Sequence, residues 1–593
     1  MTQLEKQLST YLSEHQDDPV NWYPWGEEAL ALAKKKKRPI LLSIGYSASH
    51  QCKVMGRESF NSNQIAKLMN NQYINILVDR DERRDIDKLY QSAHRLLTRS
   101  GGGWPLTVFI DPEDLLPFYS GTYFPAQANE SAPAFREVLK RMADTYESQY
   151  EKITEFKDKL SNAIAQSIGG GEPEALDFSL IDPACAQIDS SFDEKYGGFE
   201  KAPKFPHAPG LAFLHQATHK IENQEQANRV AHMLDFTLSN LSLSGMHDHI
   251  GGGFFGYSVE RDWSIPHFEK TLCDNGQLLS VYANRAADSG VAWFKHIANH
   301  TADWLLREMR LDCGAFANTL DAQSNNTEGR YYTWSKDEVK AVLGEDASEF
   351  SFAFGLDKSA NFRGKWHLHC PVAEKLENLP QQEQIDRYLE LFPKLAEARE
   401  TRHSPYRDEA IVTAWNGIAI KGLIDAAQKL GRDDYLLAAR QALDFFRETH
   451  WQNSQCAGFS KNGKSDRSGF IDDYAFLLQA LLSLDTENRR ADDLAFATAL
   501  ADAMLDTFFD KEKGGFFYTP AAHPNPVHRL KIFADDWYPS GNAVASIGLV
   551  KLADITENKR YREAAEATLK AGMHDTKQWP SAHATMVFAL SDY

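Results

Sequence analysis

Pro39-Ile40-Leu41-Leu42-Ser43-Ile44-Gly45 is an apolar run of strand length that opens onto a segment ending Ser49-His50-Gln51-Cys52. A helical stretch from about Asn61 to Asn71 follows, then a second apolar run, Tyr73 to Val78. Another helical stretch, containing Asp87 to Leu97, leads through Gly101-Gly102-Gly103-Trp104-Pro105 to a third run, Leu106-Thr107-Val108-Phe109-Ile110-Asp111. Short apolar runs that alternate with helical stretches and end at turn residues predict a β-α-β-α-β layer, and hence an α/β domain.

A thiol set where a strand ends and a helix begins has its thiolate favoured by free backbone N–H groups and by the helix dipole. Ser49-His50-Gln51-Cys52 occupies that place. With Gly45-Tyr46-Ser47 before it, and Val54-Met55 and Glu58-Ser59-Phe60 after it, the region resembles the thioredoxin-like domain of the spermatogenesis-associated protein 20 family. That family's motif runs roughly Ser-Thr-Cys-His-Trp-Cys-His-Val-Met. Asn21-Trp22-Tyr23-Pro24-Trp25, Asp79-Arg80-Asp81-Glu82-Arg83 and Gly121-Thr122-Tyr123-Phe124-Pro125 match the same family, and the resemblance extends over essentially the whole chain. It implies a thioredoxin-like fold for residues 1–166. For residues 176–593 it implies a domain similar to the six-hairpin glycosidases and N-acylglucosamine 2-epimerases.

The chain departs from the family where redox chemistry would sit. Ser49 replaces the first cysteine, Gln51 the tryptophan and Lys53 the second histidine. In a C-x-x-C pair one sulfur attacks and the other resolves the mixed disulfide, so a lone Cys52 forms no local disulfide. Disulfide oxidoreductase activity is therefore not expected, and Cys52 is read as a buried helix-start cysteine. A thiol open to glutathionylation or oxidation is the alternative. Pro105 matches the position at which thioredoxin-like folds place a cis-proline beside the motif.

Ser167-Ile168-Gly169-Gly170-Gly171-Glu172-Pro173-Glu174 reads as a linker, placed at 167–175. Beyond it a glycine turn ending in phenylalanine recurs: Gly197-Gly198-Phe199, Gly252-Gly253-Phe254, Gly314-Ala315-Phe316, Gly458-Phe459 and Gly514-Gly515-Phe516. Most neighbours are about 55 to 62 residues apart, right for two helices plus loops. Each unit holds a helix apolar on most faces (Ile418 to Ala427, Ala475 to Leu484, Ala543 to Ala553) and then an amphipathic one (Tyr435 to Phe446, Tyr561 to Ala571). Buried inner helices ringed by outer ones make an all-α (α/α)6 toroid over 176–593, with Asn326 to Arg402 as its least regular part.

If the inner helices run the same way, their N-termini gather at one end with unpaired N–H groups. Repeat geometry sends Asp274, Asn275, Trp415, Asn416, Asp472, Asp473, Tyr474 and Asn542 there, and adjoining loops add Trp263, His267, Glu269, Asp408, Asp536 and Tyr538. Carboxylates, imidazoles and aromatic faces together suit a sugar. His267, Glu269, Asp274, Asp408 and Asp473 are the candidate catalytic groups. Trp263, Asn275, Trp415, Asn416, Tyr474, Asp536, Tyr538 and Asn542 are the candidate substrate contacts. Trp263-Ser264-Ile265-Pro266-His267-Phe268-Glu269-Lys270 followed by Asp274-Asn275 resembles the family's Pro-His-Phe-Glu-Lys and Asp-Asn motif. A hydrogen-bonded cluster tying a loop to an inner helix accounts for the same residues without chemistry. Asp472 is read as a helix cap and Asp473 as the cleft acid. Asp408 resembles the first acid of the family's Asp-Asp-Lys motif, but Glu409 and Ala410 replace the other two.

The 64 Lys and Arg against 83 Asp and Glu give a formal charge of -19, which opposes nucleic acid and anionic membrane as general partners. The basic run Lys34 to Arg38 reads as a helix C-terminus. No run of about 18 apolar residues suggests a membrane span. Six dispersed cysteines show no zinc spacing and fit reduced thiols in a cytoplasm. His247-Asp248-His249 does not make a ligand set, and Gly251-Gly252-Gly253 lacks a phosphate-loop lysine pattern. No metal or cofactor is expected. The leading function is binding or turnover of a sugar-like small molecule, by epimerisation, isomerisation or hydrolysis. The alternatives are thiol handling through Cys52 and a non-catalytic binding module, with a protein partner docking on the thioredoxin-like domain.

Overall fold

The computed structural model describes residues 3–130, 132–168, 170–371, 376–466, 469–524 and 527–593. The chain forms two compact units. The first comprises Met1–Gly170 with Gly458–Phe470 and Phe517–Ile532, and the second Gly171–Ala457 with Ile471–Phe516 and Phe533–Tyr593. The helix Tyr150–Ile168 runs into the expected linker, of which residue 169 lies outside the described residues.

The first unit is built on a five-stranded sheet of β1 (Trp22–Pro24), β2 (Ile40–Gly45), β3 (Ile74–Asp79), β4 (Leu106–Ile110) and β5 (Pro117–Gly121), in the order β1-β3-β2-β4-β5. β1 and β2 run parallel to β3, while β4 runs antiparallel to β2, with Leu42 opposite both Ile76 and Val108. Helices cover both faces, so β2, β3 and β4 are buried at every residue. That is why they read as unbroken apolar runs rather than alternating ones. The basic run closes the helix Glu27–Lys36, where its charge meets the negative pole. Two segments that the sequence places within the toroid belong to this unit and pack on the helix Arg84–Thr98. Phe470 stacks on Tyr518 at 5.1 Å, the Arg84 guanidinium lies 5.0 Å over Phe470, and His523 Nε2 is 3.0 Å from Asp85 Oδ2.

The second unit is the toroid. Its inner helices are α1 (Ala208–Lys220), α2 (Leu272–Ser289), α3 (Thr413–Leu430), α4 (Ile471–Ser483), α5 (Gly541–Thr556) and α6 (Ala584–Asp592), and each packs on the next until α6 returns to α1. Gln224–Leu243, Ala292–Trp304, Asp433–Phe445, Ala491–Thr507 and Lys559–Gln578 are the outer partners of α1 to α5. The outer partner of α6 is Ile181–Ser190, so the first and last helices of the unit close the ring. Glycines let neighbouring inner helices meet at the backbone: a Cβ on Gly276 would lie 2.7 Å from Ala419 Cα. The irregular stretch carries small strands and the helices Lys336–Leu343, Ala347–Ala353 and Gln382–Glu400.

Three of the recurring glycine turns share one construction. Asp193, Asp248 and Asp510 each accept backbone N–H groups two and three residues on, and the chain then reverses through two glycines. Gly198 has φ +74° and sits where a Cβ would lie 2.4 Å from the Trp263 ring, so only glycine fits. A buried lysine holds two of these turns: Lys204 bonds Asp193 and the Gly197 carbonyl, and Lys270 bonds Asp248 and the Gly252 carbonyl. An arginine completes each group, Arg261 on Asp193 and Arg399 on Asp248. His247-Asp248-His249 is thus a turn anchored by an ion cluster.

Candidate functional site

Side-chain bonds between adjacent helix starts confirm that the inner helices run parallel and gather their N-termini at one end. Asp473 Oδ1, at the start of α4, accepts the Ala414 N–H at the start of α3 (2.9 Å). Asp535 accepts from Ser540 N at the entry to α5 (2.9 Å) and from Thr585 N in α6 (2.8 Å). Asp473 is therefore a cap, and it is Asp472 that meets an aromatic hydroxyl, Tyr538 Oη at 3.1 Å. Asp473, expected as the cleft acid, is fully buried and tied to the start of α3.

Asn275, Asn416 and Asn542, expected as substrate contacts, brace the glycine turns instead. Asn275 Oδ1 accepts Phe254 N–H (2.6 Å) and its Nδ2 donates to the Phe254 carbonyl (2.9 Å). Asn416 does the same with Phe316, at 2.8 and 3.1 Å, and Asn542 with Phe516, at 2.6 and 2.9 Å. In the fourth unit Tyr474 takes the asparagine's place, its hydroxyl accepting Cys456 N–H at 2.9 Å. An amide used on both sides by a buried backbone has little left for a ligand. Trp263 is likewise a packing element, fully buried, with its indole N–H on the Tyr196 carbonyl at 3.0 Å.

The groups that do converge stand beside α2. His267 Nδ1 lies 3.0 Å from Glu328 Oε1, and its ring packs on Tyr257 at 4.6 Å. Phe205 stacks on the same tyrosine at 4.8 Å. Glu269 Oε1 and Asp274 Oδ2 come together at one place, 3.6 and 3.8 Å from where a Gly256 Cβ would sit. Thr271 Oγ1 donates to Asp274 Oδ2 at 2.6 Å, and Arg363 donates to Glu328 at 3.2 Å. Burial disfavours the His267 imidazolium, yet the bond to Glu328 and the charges of Glu269 and Glu328 outweigh it and raise its pKa above 6.5. Asp408 belongs to the small sheet in which Thr319 pairs with both Asp408 and Thr271; it is buried and accepts Ala410 N–H at 3.3 Å.

One turn along α2 from Asp274, Gln277 Nε2 donates to the Trp537 carbonyl at 3.2 Å. Trp537 packs on Trp415 and on Tyr538, both at 5.0 Å, and Trp415 meets Tyr538 at 4.7 Å. Asp536 is exposed at the rim of this aromatic group. Below Pro539 an axial cavity of about 140 Å³ runs down the ring, lined in part by Gln277, Ser280, Asn284, Lys421 and Gln479. Sequence reasoning missed Glu328 and Trp537. Trp537 carried a signal, lying between Asp536 and Tyr538, whereas Glu328 lies in the irregular stretch and carried none.

A family profile, Thioredox_DsbH, described as "Protein of unknown function, DUF255", matches residues 1–165. Spermatogenesis-associated protein 20 of Rattus norvegicus is 31% identical over 635 residues, covering 99% of this chain and 80% of its own. The chain belongs to the spermatogenesis-associated protein 20 family. The Homo sapiens member is 31% identical over 637 residues, covering 98% of this chain and 80% of its own. Among solved structures, D-mannose isomerase aligns with 67% of this chain and 84% of its own, at 11% identity and a TM-score of 0.44.

In this member of the spermatogenesis-associated protein 20 family, the serine standing where the family has a cysteine has a structural use. Ser49 is the N-cap of the helix His50–Met55, its hydroxyl accepting Cys52 N–H at 3.3 Å. The Trp104-Pro105 bond is cis, as expected. Cys52 is 1% exposed, and a Cβ on Gly45 would meet both its Sγ (2.8 Å) and the Tyr11 hydroxyl (2.5 Å), so the N-terminal helix Thr10–Glu14 packs over the sulfur. Among the six free cysteines only Cys313 is exposed. A thiol reagent is expected to label Cys313 at once and Cys52 only in denaturant, read by mass spectrometry of the digested protein. Rapid modification of Cys52 in the folded chain would bring the thiol reading back.

Proposed function

We propose that the end of the toroid beside the α2 N-terminus binds a polyhydroxylated small molecule of the sugar class and hydrolyses it by carboxylate chemistry. The observation that carries this is the convergence of Glu269 and Asp274 on one point next to His267. An epimerising site of the two-imidazole kind needs a histidine on each side of the ligand. Here one imidazole is accompanied by three carboxylates, Glu269, Asp274 and Glu328, which favours the hydrolytic reading. Asp274, which accepts the Thr271 hydroxyl, takes the base or nucleophile role, and Glu269 the acid. His267, held by Glu328, tunes the pair and bonds ligand hydroxyls. Tyr257, Phe205 and Trp537 offer flat faces for a sugar ring.

The test is a thermal-shift screen of mono- and disaccharides, amino sugars and uronic acids, followed by a reducing-sugar assay on each hit. A ligand at 100 times its Kd adds about 2.7 kcal/mol by mass action, enough to move the melting temperature by degrees. A screen with no stabilising sugar overturns the proposal. The pH profile carries a second expectation. Because the His267 pKa is raised, activity that depends on its neutral form rises along a limb centred above 6.5, and Glu328→Gln moves that limb down. By the same sign, the stability contributed by the His267–Glu328 pair is fully present below 6.5 and is lost as pH rises through the folded value.

A further inference from the structure

His215 and His219 take no part in this chemistry. They stand four residues apart on α1, on one face of the helix. Asp288, in the last turn of α2, faces both: His215 Nε2 and His219 Nε2 lie 2.7 and 2.9 Å from its Oδ2. The three ligand atoms fall within 4.8 Å of one another. The two rings meet edge to face, 5.2 Å apart at 78°, and both Nε2 atoms lie beside the same carboxylate oxygen.

The surroundings suit a cation. Both helices end here, so the negative poles of two macrodipoles point toward the group. Among the described residues the ion pairs of Asp288 are with these two histidines, and the neighbouring Arg285 is bound to Asp235 at 2.6 and 2.7 Å. The side chains of His215, Asp288 and His219 are 8%, 29% and 50% exposed, so the group is open to solvent on one side. On the other side His215 lines the axial cavity.

We propose that His215, His219 and Asp288 form a divalent transition-metal site of the zinc class, two imidazole nitrogens and one carboxylate oxygen, with water as fourth ligand. Binding uses the Nε2 lone pairs, so each ring takes the tautomer with its proton on Nδ1, and any proton held on Nε2 leaves through solvent. The ion ties the C-terminal end of α1 to that of α2.

The experiment titrates tag-free, chelator-treated protein with zinc chloride by calorimetry, and with cobalt(II) by visible absorption. One saturable equivalent of zinc and the d–d bands of tetrahedral cobalt are expected, with a metal-dependent rise in melting temperature. His219→Ala removes a half-exposed ligand and should leave the metal-free melting temperature unchanged. It is expected to weaken zinc at least about tenfold, since loss of even an outer-shell partner costs that much. Asp288→Asn tests the carboxylate in the same way. No saturable equivalent in the parent chain, or equal binding by the parent and His219→Ala, overturns the site. Neither result bears on sugar turnover at the opposite end of the ring.

Discussion

Asp248→Ala is expected to lower the stability of the toroid by about 3–5 kcal/mol, the cost of leaving buried charge uncompensated. Asp248 accepts two bonds from Arg399, at 2.8 and 2.9 Å, and one from Lys270, at 2.8 Å. Lys270 is fully buried and Arg399 is 3% exposed. Phe255, Trp304 and Tyr332 surround the ammonium at 5.1 to 5.2 Å. Without the carboxylate two cations face one another in an apolar shell, and the N–H groups of Ile250 and Gly251, which lead into the glycine turn, lose their acceptor. Urea or thermal unfolding reads the loss. A triple variant with Asp248→Leu, Lys270→Met and Arg399→Met should recover most of it, because replacing a whole buried ion group by apolar residues is often neutral. A loss under about 1 kcal/mol for Asp248→Ala would mean that water reaches the cluster. Acid adds a check. Burial would raise the Asp248 carboxyl, but the charges of Arg399 and Lys270 hold it well below its ordinary 3.8. Its contribution is therefore complete above 3.8 and lost as pH falls through the lower folded value, and the alanine variant lacks that part of the acid transition. Asp193→Ala should cost less, because the Arg261 side chain of the matching cluster is already 56% exposed.

The glycine turns made the toroid legible, since each marks a reversal that repeats with its helix pair. The buried strands were legible because covering both faces leaves no polar alternation. The roles of the polar helix starters were not. An asparagine in a first helical turn reads equally as cap, ligand contact or brace. Asn416 becomes a brace only through Phe316, which lies 100 residues earlier in the chain. Asp472 and Asp473 show the same limit: the bond that Ala414, at the start of α3, donates to Asp473 depends on the packing of the neighbouring helix, which the local sequence does not carry. Glu328 reaches His267 from the hairpin of Gln323–Ser324 and Thr327–Glu328, whose two-residue strands carry no readable period. The four-residue spacing of His215 and His219 was readable as one helix face, but the facing Asp288 depends on the packing of α1 against α2.

Glu269→Gln and Asp274→Asn are each expected to lower kcat for the hit sugar by about 10²–10⁴-fold, the usual contribution of one acid or base, with KM changed far less. The two substitutions are nearly isosteric, so shape and packing are kept while the proton inventory changes. Melting temperatures should stay close to the parent's. That separates these residues from Asp473→Asn, which weakens a cap on Ala414 and should lower stability while sparing kcat in the surviving folded fraction. His267→Ala gives the third corner. In a hydrolytic site it raises KM and flattens the limb above 6.5, but the carboxylate pair still turns over substrate. If His267→Ala abolishes turnover while both carboxylate variants retain it, proton transfer runs through the imidazole, and the reaction is abstraction at a carbon rather than cleavage of a glycosidic bond. If the parent and all three variants bind the sugar alike and none of the four forms product, the pocket is a receptor. The convergence of Glu269 and Asp274 beside Gly256 then serves recognition of hydroxyl groups, for which two carboxylate acceptors are equally well suited.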